Sequence, residues 1–413
     1  MLNYVFMTHR RERQLLEAFK KLTAFSPIVG LFGHRQVGKT TFLETQANEY
    51  ISLDDPEVQN QAQSSPNKFL QDLSGDGSAL DECQLAPALF PALKLRVQKN
   101  KRPGQFYLSG SVRFTSRSVI RESLTGRVAS VEMFPFVCSE IVQERLSHFA
   151  PQLIKARSLA GFTSSIRLPA GVHSKRMSAF QTYLTMGGLP GICFVRENPV
   201  RKRMLEDLLK TMLDRDLRLV VATPLSLSEL IDYCRELALG AFQPVRYADL
   251  HRKTGLNPRT LKRLLAAFES IYLIRRLPIE GGGASGEIVL FEDQIEQNFL
   301  SGETSSFEVS RSGALYRNLR AQFEYRLGST PQFFTYMTRG GARVPLALRT
   351  ELGVAGFYPI EQESFINRPV QASIDSFLKS YERARVVIVN EGSKDIKLLS
   401  PRVLMAPPSA ILF

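Results

Sequence analysis

The chain has 413 residues, more than one ordinary core accommodates, so length alone argues for two to four modules. Its 44% hydrophobic and 23% charged residues fit a globular protein in water, and no long charge-free apolar run of the membrane-spanning kind occurs. A net charge of +13 favours an anionic partner, nucleic acid foremost, although a basic protein can be soluble without binding one.

Met1 to Met7 precede Arg10 and Arg11, the reverse of the basic-first order of a secretory signal, so a cytoplasmic protein is expected. Cys83, Cys138, Cys193 and Cys234 form no CxxC pair, and the five histidines fit no ligand spacing. Neither a structural metal nor a disulfide framework is expected.

Leu15, Leu16, Phe19 and Leu22 recur at helical spacing and lead into the apolar run Pro27 to Phe32, which suits a buried strand. Gly33-His34-Arg35-Gln36-Val37-Gly38-Lys39-Thr40 follows, then Thr41. This is the G-x4-G-K-[ST] spacing: the glycines let backbone N–H groups wrap phosphates, and the lysine neutralises β- and γ-oxygens. Thr40 is the expected Mg²⁺ ligand, and Gly33 to Thr41 the expected ATP cradle. Further strands are expected at Tyr50–Leu53, Ser78–Leu80, Phe106–Leu108 and Val128–Met133, giving a parallel α/β sheet.

Ser78-Ala79-Leu80-Asp81-Glu82 supplies a strand ending in two carboxylates. Asp81 is expected to hold the magnesium hydration shell and Glu82 to act as general base toward water. Phe106 to Ser111 is an apolar strand ending in small polar residues, with Ser109 the first choice for a γ-phosphate sensor. Arg121 and Arg127 are arginines able to stabilise transition-state charge, in cis or across a subunit interface; Arg127 is preferred, and a surface salt bridge is the alternative for either.

Lys155 to Arg218 reads as mainly helical, broken by the turn Gly187-Gly188-Leu189-Pro190-Gly191. Beyond it, Tyr247 to Gly255 reads as a short helix with a glycine stop, and Asn257-Pro258 as an N-cap and first helical residue. Leu261, Leu264, Leu265 and Phe268 then fall on one helical face, leaving Arg259, Lys262 and Arg263 outward. Ile271 to Leu277 suits a wing strand, with Arg275 and Arg276 adding charge where phosphates would pass. From Pro244 to Pro278 eight Lys/Arg stand against Asp249 and Glu269, a net +6. DNA contact through Arg259, Lys262 and Arg263 is one expectation, and a unit used only for packing or protein contacts the other. Gly281 to Gly286 reads as a flexible turn or linker at a boundary, and the rest as a separate α/β domain.

Gly33 to Thr41, Ser52 to Pro56, Leu80 to Pro87, Leu108 to Ser111 and Glu122 to Arg127 together resemble one group of prokaryotic AAA+-like ATPases. Tyr183 to Gly191 and Asp214 to Leu217 resemble its lid segments. The resemblance implies a P-loop ATPase core at 1–150, a helical lid at 151–225, a winged helix at 226–280 and a restriction-endonuclease-like α/β domain at 281–413. In that group the last domain carries a helical glutamate, an E-V-D motif and I-E-x-K. The corresponding places here are Arg317, Pro345 and Glu363, and only Glu361 survives. A proline in place of a metal-binding aspartate removes a ligand, so a degenerate binding or regulatory domain without nuclease activity is expected.

Two functional expectations follow. One is an ATP-hydrolysing protein whose nucleotide state regulates engagement of DNA or a protein partner, with a homo-oligomer implied if Arg127 acts in trans. The other is a nucleotide-gated scaffold with little turnover and no nucleic-acid binding.

Overall fold

Five short apolar runs build the first sheet of the computed structural model, in which residues 11–113, 128–166, 168, 171–283, 285–302, 305–328 and 330–413 are described. They are β1 (Ile28–Phe32), β2 (Glu49–Ser52), β3 (Ser78–Asp81), β4 (Phe106–Gly110) and β5 (Val128–Glu132). The order is β2-β3-β4-β1-β5, with every neighbouring pair parallel. All five residues of β1 are buried, as expected of a central strand covered on both faces. Because β1 lies between β4 and β5, and β2 lies at the far edge, chain direction across the sheet reverses at β1. Such a reversal leaves a crevice at the carboxyl ends of the strands.

The stretch expected to be helical contains helices Phe149–Lys155, Leu159–Ser165, Val172–Met186 and Asn198–Thr211, then a π-helical turn Met212–Asp216 and helix Leu217–Val220. Its glycine turn is fixed from outside: the Gly188 N–H donates to Asp293 Oδ2 at 2.7 Å and the Phe136 N–H to Gly188 O at 2.7 Å. Helices Leu227–Leu239, Tyr247–Thr254 and Pro258–Ser270 follow. The last two end and begin as the sequence demands. Gly255 stops one at φ 71°, and the Asn257 side chain caps the other by accepting from the Thr260 N–H at 2.9 Å, a contact worth about 1 kcal/mol.

The second sheet has eight strands: β6 (Ile274–Glu280), β7 (Glu287–Phe291), β8 (Gln332–Met337), β9 (Arg343–Thr350), β10 (Gly353–Ile360), β11 (Arg385–Asn390), β12 (Lys397–Ser400) and β13 (Val403–Ala406). Their order is β12-β13-β11-β10-β9-β8-β6-β7. The sheet runs across the boundary expected at 280/281. Gly281 to Gly286 joins the two strands of an antiparallel hairpin, and β6 also pairs with β8 in parallel. The strand that carries the expected wing is therefore joined to the larger sheet at its far end, through Ile279 and Glu280. A Cβ on Gly281 would fall 2.7 Å from Met337 O, so the turn packs against β8 rather than standing free.

Arg275 and Arg276 are corrected with it. Arg275 is 7% exposed and ion-pairs with Glu132 and with Glu292, the latter at 2.5 Å, while Arg276 pairs with Glu269 at 2.9 Å and Glu287 at 3.4 Å. Both charges are neutralised internally, so neither adds to an exposed basic surface. Arg320 closes the buried network, reaching Glu132 and Glu292 at 2.8 Å each. This network ties β5 of the first sheet to β6 and to helix Phe307–Glu324.

Candidate functional site

Gly33 leaves β1 at φ 155°, where an added Cβ would fall 2.1 Å from Met133 O, so only glycine fits. Gln36 (φ 62°) and Gly38 (φ 92°) complete the left-handed turns that curl the loop onto helix Lys39–Gln46. Lys39 is buried and its Nζ donates to Gly33 O at 3.0 Å and His34 O at 2.8 Å. Burial pulls this ammonium below its usual range, and the Glu82 and Asp81 charges push back. Val37 is wholly buried in the core, whereas Gln36, Thr40 and Thr41 are exposed.

The Asp81 carboxylate gathers several donors at the end of β3. Thr40 Oγ1 donates at 2.6 Å, the Tyr50 hydroxyl at 2.7 Å and the Glu82 N–H at 3.0 Å, and the Ser109 hydroxyl donates as well. Parallel register explains the meeting: β3 lies between β2, which brings Tyr50, and β4, which brings Ser109. Ser109 thus contacts the carboxylate itself. Ser111 is the serine beside the second carboxylate, 3.4 Å from Glu82 Oε2.

Glu82 adopts φ 54°, which turns its side chain off the strand axis. The Gln84 amide donates to it, and Arg35 Nη1 stands 3.9 Å from it. On its other side Arg35 Nε lies 3.5 Å from Asp216, the last residue of the π-helical turn. Burial raises the Asp216 carboxyl to about 6; Arg35 opposes the shift and Glu82 adds to it. Next to it Arg215 pairs with Asp54 at 2.5 Å. His34 Nε2 lies 3.0 Å from Glu296 Oε1, both side chains fully buried. Burial lowers this imidazole, but the Glu296 charge and hydrogen bond outweigh it, so the net shift is upward.

Lys39, Thr40, Asp81, Glu82 and Ser109 therefore converge, whereas Arg121 and Arg127 lie outside the described residues. Sequence reading missed Tyr50, Gln84, Ser111, Glu296 and the closeness of Asp216 to Arg35. The end of β4 also reaches the three-helix unit: the Arg113 N–H donates to Ser270 O at 2.8 Å, and its guanidinium lies 5.0 Å from the Tyr272 ring centroid. Arg259, Lys262 and Arg263 are exposed on helix Pro258–Ser270, Lys262 lying 5.1 Å from the Tyr247 ring centroid and Arg263 donating to Ala222 O at 3.3 Å.

The suspected nuclease positions have other partners. Arg317 is buried and donates to Glu292 O (2.9 Å), Phe291 O (3.1 Å) and Gln294 Oε1 (3.2 Å), and Pro345 O accepts from the Thr335 hydroxyl at 2.8 Å. Glu361 and Glu363 are exposed beyond β10, Glu363 pairing with Lys397 at 3.1 Å. Among the described residues no group of three or more His, Cys, Asp or Glu side chains is placed to hold a metal ion, and no helix is long and apolar enough to cross a membrane.

Residues 25–142, which contain the loop and all five strands of the first sheet, match the family model of the AAA domain. They are an AAA-type P-loop domain. The AAA domain is a nucleotide-binding fold of ATPase type. Downstream of it, residues 177–279 match a domain family of unknown function, DUF8612. Uncharacterized proteins of Mycobacterium bovis and Mycobacterium tuberculosis are each 27% identical over 266 residues, covering 61% of this chain and 50% of the relative. The chain spans about half the length of the curated relatives it matches. Among solved structures, a signal transduction ATPase with numerous domains and a tetratricopeptide repeat sensor, from Pyrococcus horikoshii, has TM-score 0.27 and 12% identity, over 76% of this chain and 47% of that one. AMPPCP-bound DnaA from Aquifex aeolicus has TM-score 0.24 and 13% identity, over 62% and 85%. At those scores neither carries an argument, and the AAA domain rests on the family match of residues 25–142.

Proposed function

We propose that the chain binds ATP with Mg²⁺ at Gly33 to Thr41, hydrolyses it, and uses its nucleotide state to change how residues 226–413 engage DNA or a protein partner. One observation carries the reading: Lys39, Thr40, Asp81, Glu82 and Ser109 meet at the carboxyl ends of β1, β3 and β4. Loop N–H groups receive the phosphates, and Lys39 exchanges its two carbonyl partners for phosphate oxygens. The Thr40 hydroxyl and Asp81 carboxylate are hard oxygen donors that fit magnesium, which when bound neutralises phosphate charge. Glu82 accepts a proton from water as the new phosphorus–oxygen bond forms and the bond to the ADP oxygen breaks, giving ADP and phosphate.

The same reading assigns the core to 1–150, the lid to 151–225, and a winged-helix-like unit whose hairpin belongs to the C-terminal sheet. Asp216 brings the lid to Arg35, and Arg113 brings β4 to the last helix of that unit. DNA contact falls to Arg259, Lys262 and Arg263, since Arg275 and Arg276 are internally paired.

A scaffold with little turnover is the second reading, favoured by the partners already on Glu82: Gln84, Ser111 and Arg35 all lie against the general base. Nucleotide binding and single-turnover hydrolysis separate the two. Lys39→Ala is expected to abolish binding, and Glu82→Gln to keep binding and stop turnover. Normal turnover in either variant overturns the ATPase reading.

A further inference from the structure

Away from the cradle, a cavity of about 520 Å³ opens where helices Phe149–Lys155 and Leu159–Ser165 meet the chain entering β10, β11 and β13. Five cations line it: Lys155, Arg157, Arg383, Arg385 and Arg402. No carboxylate lines it, and among the described residues none of the five ion-pairs with one. This departs from the habit of the chain, whose Arg13, Arg176, Arg275, Arg276, Arg311 and Arg349 all sit against glutamates.

Two of the five are held rigidly. Arg385 donates to Leu153 O and Ala156 O, and Arg402 Nη1 donates to Leu378 O at 2.9 Å and Glu382 O at 3.1 Å. These bonds place guanidinium groups near the carbonyl ends of two helices, where positive charge is favoured. They use two N–H groups on each guanidinium, which leaves three. Burial lowers Arg385 from its usual range, and no carboxylate offsets that shift. Lys155, Arg157 and Arg383 are exposed and make no such bonds among the described residues.

Five like charges around one concavity repel one another, and a multivalent anion removes that repulsion. The volume falls within the roughly 300–1,000 Å³ of small-molecule sites, and Leu159 and Val354 give the wall apolar area between the charges. We propose that this cavity binds a small ligand bearing two or more phosphate groups, at a site separate from the cradle.

Calorimetric titration of the full chain with tripolyphosphate tests the proposal. Wild type is expected to show two classes of site, one lost in Lys39→Ala and the other weakened at least about tenfold in Arg157→Glu/Arg383→Glu. Both substituted residues are exposed, so folding is retained; circular dichroism checks it, and Arg157→Gln/Arg383→Gln is the milder second variant. Unaltered binding in both cavity variants overturns the proposal. So does a result in which they lose affinity for a short DNA duplex but keep tripolyphosphate, since the cations would then be a nucleic-acid surface.

Discussion

Replacing Asp216 by Asn removes a charge from the junction between the phosphate loop and the π-helical turn Met212–Asp216 while keeping the shape of the side chain. The carboxyl is raised from 3.8 to about 6, and its side chain is 2% exposed. Each pH unit is worth about 1.4 kcal/mol, so ionising Asp216 costs the folded state up to about 3 kcal/mol. The folded carboxyl holds its proton more tightly than the unfolded one. The cost is therefore absent below the unfolded value near 4, grows as pH rises, and is complete above about 6. About 1.4 kcal/mol of it falls between roughly pH 5 and pH 8. Urea unfolding of both proteins across that range measures it, followed by far-ultraviolet circular dichroism because the chain has no tryptophan. Relative to wild type, Asp216→Asn is expected to gain about 1.4 kcal/mol from the acid to the alkaline end. Stability curves that stay parallel would refute the assignment of a buried, proton-retaining carboxyl.

Arg320→Met leaves Glu132 and Glu292 sharing Arg275 alone in the buried network and is expected to cost about 3–5 kcal/mol, read as a lower urea midpoint at unchanged slope. A loss under about 1 kcal/mol would mean that the network contributes little. Charge reversal at Arg259, Lys262 and Arg263 is expected to weaken DNA binding and flatten its dependence on salt. Unchanged affinity in that assay assigns the face to protein contacts.

The five strands of the first sheet were legible because each is a short apolar run between turns, and the cradle because its spacing is dictated by phosphate geometry. Asp81 and Glu82 were legible as a carboxylate pair ending an apolar run, and the fold brings Asp81 to Thr40 and Ser109. Tyr50 was not, because its task depends on β2 pairing with β3 in a register that no local pattern records. Asp216 belongs to a π-helical turn, which shifts side chains off the 3.6-residue face that periodicity assumes. Arg275 shows the opposite failure. Beside Arg276 it looks like exposed charge, yet its partners are Glu132, 143 residues away, and Glu292. Non-local pairing decided its fate.

The interior position of β6 bears on the order in which this chain is made. The AAA domain leaves the ribosome complete, and the β6–β7 hairpin follows, but the second neighbour of β6 emerges only roughly fifty residues later, with β8. Until then one side of β6 is an open edge, the kind of surface that recruits other strands. Only Ile279 and Glu280 of β6 pair with β8, and Pro278 just before them has no N–H to offer a stranger. The edge left waiting is thus short and blunted by proline, which guards the nascent chain until its own strand arrives.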